Sequence, residues 1–180
     1  MSVPPRDRDV WVDELLGLDD LPPDAPTLPY GGVPYLPCGV EEIMTMVREA
    51  PLRSDDEFVD LGSGAGRVVM LAHLLSGARA CGVEIQEPLV RAATARRDAL
   101  GLSGVSFLHA NAEAIELDGS VFFLFAPFNG AMLTNVLARL ECVASRRRVI
   151  VCTVCLELRT ESWLMERGRS HYELAIYDSR

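Results

Sequence analysis

From residue 40 onward the chain alternates short apolar runs with amphipathic stretches. Val40 to Ala50 sets Val40, Ile43, Met44 and Val47 on one helical face. Glu57–Leu61 is a short apolar strand, and Arg67 to Leu75 reads as a helix closed by Gly77. Ala78 to Glu84 is a second strand. Glu87 to Leu100 is a helix with Pro88 in its first turn and Gly101 past its end. Val105–Leu108 and Val121–Phe125 follow as strands three and four, Gly130–Cys142 as a helix and Arg148–Val154 as a fifth strand.

Continuously apolar strands separated by helices predict an α/β fold, a doubly wound, mostly parallel sheet covered on both faces. The rhythm breaks near the end. Trp163–Glu166 and Tyr172–Tyr177 read as two strands joined by Arg167-Gly168-Arg169-Ser170, a hairpin that makes a C-terminal strand antiparallel. Too few residues separate strand five from Trp163 for a full crossover, so the last crossover helix should be short or absent. Residues 1–40 differ in composition. Val10-Trp11-Val12-Asp13-Glu14-Leu15-Leu16 is a short amphipathic helix, and Pro22 to Pro29 is an extended arm, because proline lacks the amide donor and fixes φ. Two regions follow: 1–40, an N-terminal helix and Pro-rich arm, and 41–180, the α/β domain.

Composition adds constraints. The 180 residues are 49% hydrophobic, enough for one domain with a sizeable core. No apolar run approaches a membrane span, and the start has no signal-peptide core, which reads as a cytoplasmic protein without a membrane partner. The formal net charge of −9 argues against a nucleic-acid partner. Arg146-Arg147-Arg148 and Arg91/Arg96/Arg97 are local exceptions, read as solvated surface. The five cysteines follow no scaffold spacing, and Cys152-Thr153-Val154-Cys155 runs along a strand, so they are read as small core residues. His73, His109 and His171 are scattered, and no metal site is expected.

The chemistry centres on Asp60-Leu61-Gly62-Ser63-Gly64-Ala65-Gly66, between a strand and a helix. Such glycines let a backbone approach a ligand closely. The GxGxG spacing differs from the GxGxxG of a dinucleotide loop, and no Lys-Ser/Thr pair follows as in a P-loop. Asp60 ends the strand and would repel a pyrophosphate but attract an ammonium group. Glu84 ends strand two, where a carboxylate can accept both hydroxyls of a ribose. An amino-acid moiety near Asp60 and a ribose near Glu84 describe S-adenosyl-L-methionine.

Residues 57–127 resemble a class I (seven-strand, Rossmann-like) S-adenosylmethionine-dependent methyltransferase. Phe58 to Arg67 resembles the first motif. The resemblance implies that Asp60, Gly62, Ser63, Gly64 and Gly66 hold the cofactor. It also implies that Glu84 binds the ribose, that Ile85 packs on adenine, and that Asn111 and Ala112, in Asn111-Ala112-Glu113, face the adenine amino group. Asn111 stands where an Asp is frequent and can still accept through its side-chain oxygen. Val33-Pro34-Tyr35-Leu36-Pro37 ahead of a helix and the glycine loop is similar to small lysine methyltransferases of the ATP-synthase c-subunit type. That likeness implies an arm folded over the methionine end of the cofactor, with Tyr35 and Cys38 lining the site.

After strand four comes Phe125-Ala126-Pro127-Phe128-Asn129-Gly130. Amino-group methyltransferases often carry Asn/Asp-Pro-Pro-Tyr/Phe there, and this chain has Ala126 in the acceptor position, beside the cofactor. Phe128 then forms a wall or joins the core, and Asn129 offers a carbonyl acceptor or caps the next helix. Tyr35, Asn129 and solvent are the candidate proton acceptors, with Phe128 as the supporting aromatic. Methyl transfer is an in-line displacement in which the protein supplies orientation and releases S-adenosyl-L-homocysteine. The expected acceptor is an amine such as a protein lysine. The alternatives are a small-molecule methyltransferase and an inactive cofactor-binding module, with the chain a monomer or weak homodimer.

Overall fold

The computed structural model describes residues 4–28, 31–116, 118–158, 160–169 and 173–180. Helix α1 (Pro5–Leu16) and helix α2 (Val40–Glu49) precede the alternating core. That core is β1 (Glu57–Leu61), α3 (Arg67–Ser76), β2 (Arg79–Glu84), α4 (Glu87–Ala99), β3 (Val105–His109), β4 (Val121–Phe125), α5 (Gly130–Ala144) and β5 (Ile150–Val154). The chain ends with β6 (Leu164–Arg169) and β7 (Leu174–Ser179). These bounds match the expected elements to within a few residues, except at the last hairpin and at α1, which starts five residues before the expected segment.

The seven strands form one sheet in the order β3-β2-β1-β4-β5-β7-β6. β1 pairs in parallel with β2 and β4, β2 with β3, and β4 with β5. β7 enters antiparallel between β5 and β6. The α/β, mostly parallel sheet with an antiparallel C-terminal strand is therefore as the apolar runs predict.

The period-two alternation of these strands sorts their side chains into two cores. Phe58, Ala80, Phe123, Cys152 and Ile176 face α1, α2 and α3. Val59, Phe122, Leu124, Val151 and Tyr177 face α5. The parallel strands are apolar on both faces because both faces are covered. The Cys152–Cys155 pair is not a motif in space: Cys152 lies in the core and Cys155 is exposed. All five cysteines are free thiols.

The hairpin corrects one expectation. Arg167-Gly168-Arg169 is strand rather than turn, because a register shift between Glu166 and Gly168 lets β6 continue past the glycine. Arg167 then pairs with Asp178 across the hairpin. Ser170, His171 and Tyr172, which complete the expected turn and open the expected strand, lie outside the described residues, as does Pro29 of the arm. Trp163 precedes β6 rather than starting it.

No helix occurs among the described residues between β5 and β6. The missing crossover is replaced by turns pinned to the sheet. The Leu158 N–H donates to the Tyr177 hydroxyl (3.1 Å), and Thr153 Oγ1 donates to the Leu156 carbonyl (2.7 Å). Tyr177→Phe removes the acceptor of a buried N–H, which costs about 1–3 kcal/mol. The expected result is a melting temperature lower by roughly 2–12 °C, with cofactor affinity unchanged. A thermal melt checks it, and an unshifted transition would remove the pin from this account.

Among the described residues no helix is long and apolar enough to cross a membrane. Most of the two basic clusters pairs locally: Arg91 with Glu87, Arg97 with Asp98, Arg146 with Glu116 and Arg147 with Asp118, while Arg148 is exposed. Arg96 donates to the Gly17 carbonyl.

Candidate active site

Strand order reverses between β1 and β4, and in open α/β sheets ligands bind at the carboxyl ends beside such a point. A cleft of about 220 Å3 opens there. Its walls come from the ends of β1 (Gly62), β2 (Glu84, Ile85), β3 (Asn111, Ala112) and β4 (Phe125, Ala126, Phe128). Residues 32–36 of the arm form the remaining side. Eight expected site residues thus share one cleft: Tyr35, Gly62, Glu84, Ile85, Asn111, Ala112, Ala126 and Phe128.

Glu84 is oriented before any ligand arrives. Its Oε2 accepts from the Gly64 N–H (2.9 Å) and its Oε1 from the Gln86 N–H (2.8 Å). Each oxygen keeps a second lone pair for a ligand donor. Asp60 is 2% exposed and does not itself line the cleft. Its carboxyl is pushed well above the usual range by burial first and by the Glu84 charge second. Two acids in one buried corner favour a ligand that brings positive charge.

The other expected residues lie elsewhere. Ser63 sits beneath the loop against Gly82, its Oγ buried without a partner. Gly64 and Gly66 do not line the cleft, because the protein's own rings cover them: a Cβ at Gly64 would fall on the Tyr35 ring and one at Gly66 on Phe107. Gly62 has φ +90°, and a Cβ there would strike Pro127. The smallness of these glycines serves close approach of side chains, and positive φ turns the loop under them. Cys38 is buried and lines a neighbouring cleft with Glu42, Phe125, Cys155 and Glu173. Burial, and then Asp60, pushes its thiol up.

Asn111 has already spent part of its acceptor capacity. Its Oδ1 takes the Glu113 N–H (2.9 Å), and its Nδ2 donates to Glu113 Oε2 (3.2 Å). Phe128 is both wall and core, buried among Leu124, Met132 and Val136. Asn129 is exposed at the N-cap position of α5 and makes no side-chain cap, while its N–H donates to the Gly31 carbonyl (3.0 Å). The cap expected of its side chain is not made. Tyr35 is also a poor proton acceptor. Burial dominates and pushes its phenol up to about 12, with Asp13, Asp60 and Cys38 adding and Arg67 opposing. It presents a neutral hydroxyl near pH 7.

Backbone strain concentrates at this end of the sheet. Ala126 (φ +39°), Cys155 (φ +54°) and Glu173 (φ +55°) are the positive-φ residues other than glycine among those described. Ala126 and Cys155 both line the cleft. Such conformations cost about 1–3 kcal/mol each and gather at functional sites.

The sequence reading overlooked Arg67. Its side chain is 5% exposed and joins three segments: it pairs with Asp9 (3.0 Å) and Asp13 of α1 and donates to the Cys38 carbonyl (2.9 Å). A signal was available. A cation in the first turn of a helix meets the positive end of the macrodipole, so Arg67 requires acidic partners, and Asp9 and Asp13 share a face of α1 at i, i+4.

Comparison with known proteins follows the same geometry. An RNA methyltransferase from Salinibacter ruber, in complex with S-adenosyl-L-homocysteine, superposes with TM-score 0.64 at 20% identity, covering 80% of this chain and 92% of that one. A tRNA (guanine-N(7)-)-methyltransferase of Synechococcus sp. (strain JA-3-3Ab) is 44% identical over 70 residues, 38% of this chain and 28% of its own length. A protein-lysine N-methyltransferase of Saccharolobus islandicus (strain REY15A) is 31% identical over 107 residues, 58% of this chain and 63% of its own length. The chain thus spans less than two thirds of either relative. Residues 52–155, more than half of the chain, match the model of the methyltransferase domain, and the protein belongs to that family.

Proposed function

We propose that the cleft binds S-adenosyl-L-methionine and that the protein transfers its methyl group to an amine, such as the side chain of a protein lysine. The carrying observation is the prearranged Glu84 carboxylate beside buried Asp60. The fit is chemical. Glu84 retains acceptor capacity for two ribose hydroxyls. Ile85 and Phe128 give an apolar wall for a base, and the acid pair suits a ligand carrying sulfonium and ammonium groups. When bound, the cofactor supplies an activated methyl group, so no protein nucleophile is required.

The protein's residues then bind, orient and exclude water. Residues 32–36 close one side of the cleft, and Leu36, 67% exposed, stands at its mouth. With Tyr35 neutral and Asn129 turned outward, the amine proton leaves to solvent. The lysine-methyltransferase relative supports an amine acceptor. So does the net charge of −9, which attracts cationic partners and repels phosphate.

The test has two stages. Thermal stabilisation by S-adenosyl-L-methionine or S-adenosyl-L-homocysteine, but not by NAD, is the expected first result, and no shift with either ends the proposal. Labelled methyl transfer into fractionated lysate, protein against RNA against small molecules, then identifies the acceptor. Label in RNA alone would overturn the lysine reading while keeping the cofactor.

Asp60 makes a further prediction with two signs. Its folded carboxyl titrates above the unfolded value of about 3.9, so the native state keeps a proton that the unfolded chain has lost. Stability therefore falls as pH rises from the unfolded value through the folded one, and the penalty is complete above it. Asp60→Asn should be more stable than wild type at neutral pH yet bind the cofactor roughly tenfold more weakly, for one lost charge-assisted contact. Melting curves from pH 4 to 8, paired with titration calorimetry, check both signs. A variant less stable at neutral pH would contradict the assignment.

A further inference from the structure

Gln86 has no role in the cofactor set above, yet its side chain is 4% exposed and at the edge of the cleft. Both ends of its amide are used. Oε1 accepts from the Ala25 N–H (2.7 Å), and Nε2 donates to Asp24 Oδ1 (2.9 Å). The same Asp24 oxygen accepts from the Tyr35 N–H (3.0 Å). On the other side, the Gln86 N–H donates to Glu84, whose second oxygen holds the Gly64 N–H. Tyr35 closes the circuit by laying its ring against Gly64. The path runs from the glycine loop through the end of β2 to the arm and back to the loop.

We infer that Gln86 is a positioning residue that clasps the arm, so that occupancy at Glu84 and closure of Tyr35 over the glycine loop are one coupled event. Three observations carry this. The contacts are long-range, 61 and 62 residues apart in sequence, so local folding does not explain them. The arm supplies two partners to a single glutamine amide, which a surface glutamine would leave to water. The cleft, at about 220 Å3, is smaller than the roughly 300–1,000 Å3 of most small-molecule sites, and arm residues form one of its sides. A nucleoside cofactor seated at Glu84 therefore lies against this side, and the clasp is what holds it in place. Gln86 touches no reacting atom in this scheme. It acts through Asp24 and Tyr35.

The inference rests on the cofactor reading for its coupling but not for the clasp itself, and the experiment separates the two. Chymotryptic cleavage of the Tyr35–Leu36 bond, followed by mass spectrometry, reports release of the arm in the full-length protein. Without ligand, Gln86→Leu and Asp24→Ala should each speed cleavage about tenfold, and the double variant should fall well short of the product of the two, because both break the Gln86–Asp24 bond. Asp24→Asn keeps a carbonyl oxygen facing both donors and should cleave like wild type. Asp24 is exposed, so its variants fold even if Gln86→Leu does not.

With S-adenosyl-L-homocysteine added, wild type and Asp24→Asn should be protected about tenfold, and Asp24→Ala less than twofold. Unchanged cleavage of ligand-free Asp24→Ala, or full protection of that variant by ligand, would overturn the inference. Faster ligand-free cleavage of Asp24→Ala together with no protection of wild type would keep the clasp, overturn the coupling, and count against the cofactor reading.

Discussion

Arg67→Met should lower the unfolding free energy by about 3 kcal/mol, with a melting temperature down by roughly 6–12 °C. Arg67 opens α3, where the positive end of the helix dipole disfavours a cation, and its guanidinium is 5% exposed. It is tolerated there because Asp9 and Asp13 reach it from α1 and the Cys38 carbonyl accepts from it. Asp9 also takes the Val40 N–H (2.9 Å), so the same group caps the start of α2. Methionine fills similar volume but abandons two carboxylates. Removing one partner of a fully buried pair costs about 3–5 kcal/mol. Asp9 is 48% and Asp13 25% exposed, which sets the loss at the lower end.

The effect should reach the site as well. α1 and the start of α2 flank the arm, and Tyr35 feels both Arg67 and Asp13. Arg67→Met should therefore weaken cofactor binding although Arg67 does not line the cleft. Urea titration and calorimetry check the pair of effects. A variant within 1 kcal/mol of wild type would show that the α1 docking rests on its apolar contacts, Val12 and Leu16, instead.

Glu84→Gln should raise the cofactor dissociation constant at least 100-fold while costing only about 1–2 kcal/mol of stability. The substitution preserves shape and changes hydrogen-bond sense. In wild type both carboxylate oxygens face backbone donors, Gly64 and Gln86. An amide presents one NH2 group, which would point at one of those N–H groups. One donor is then orphaned, and the glycine loop or the Gln86 clasp loses its anchor. In the proposed complex the same carboxylate also takes two ribose hydroxyls, each charge-assisted bond being worth about 1.5–3 kcal/mol. Two such bonds convert to a factor of at least about 100. Titration calorimetry with S-adenosyl-L-homocysteine reads it directly. Affinity within threefold of wild type would remove Glu84 from the binding set.

The contrast between these predictions reflects what a single chain discloses. Strands β1, β2, β4 and β5 were legible because burial on both faces demands unbroken apolar runs, and Gly77 and Gly101 mark where helices stop. The loop Asp60–Gly66 and the acid Glu84 were legible for the same kind of reason, since each stands at a strand end that the apolar pattern locates. The absent last crossover helix followed from simple chain length. The sequence therefore determined the fold class and the strand ends carrying the site, and its wider set of candidates included the eight positions that meet in one cleft.

Tertiary structure alone decided which of these residues line the cleft and which are covered by other side chains. Ser63, Gly64 and Gly66 have the composition of ligand contacts, but Gly82, Tyr35 and Phe107 come from distant segments to occupy their surfaces. Cys38 belongs to the adjoining cleft, and Asn129 points to solvent. The bulge that carries β6 through Gly168 depends on its register with β7. The Arg67 links to α1 and the Gln86 link to Asp24 each join residues more than 50 positions apart. Periodicity reports which face of an element is buried. Hydrogen-bond partners across the fold depend on where the elements finally pack, and for that reason the Gln86 and Arg67 contacts appear only in three dimensions.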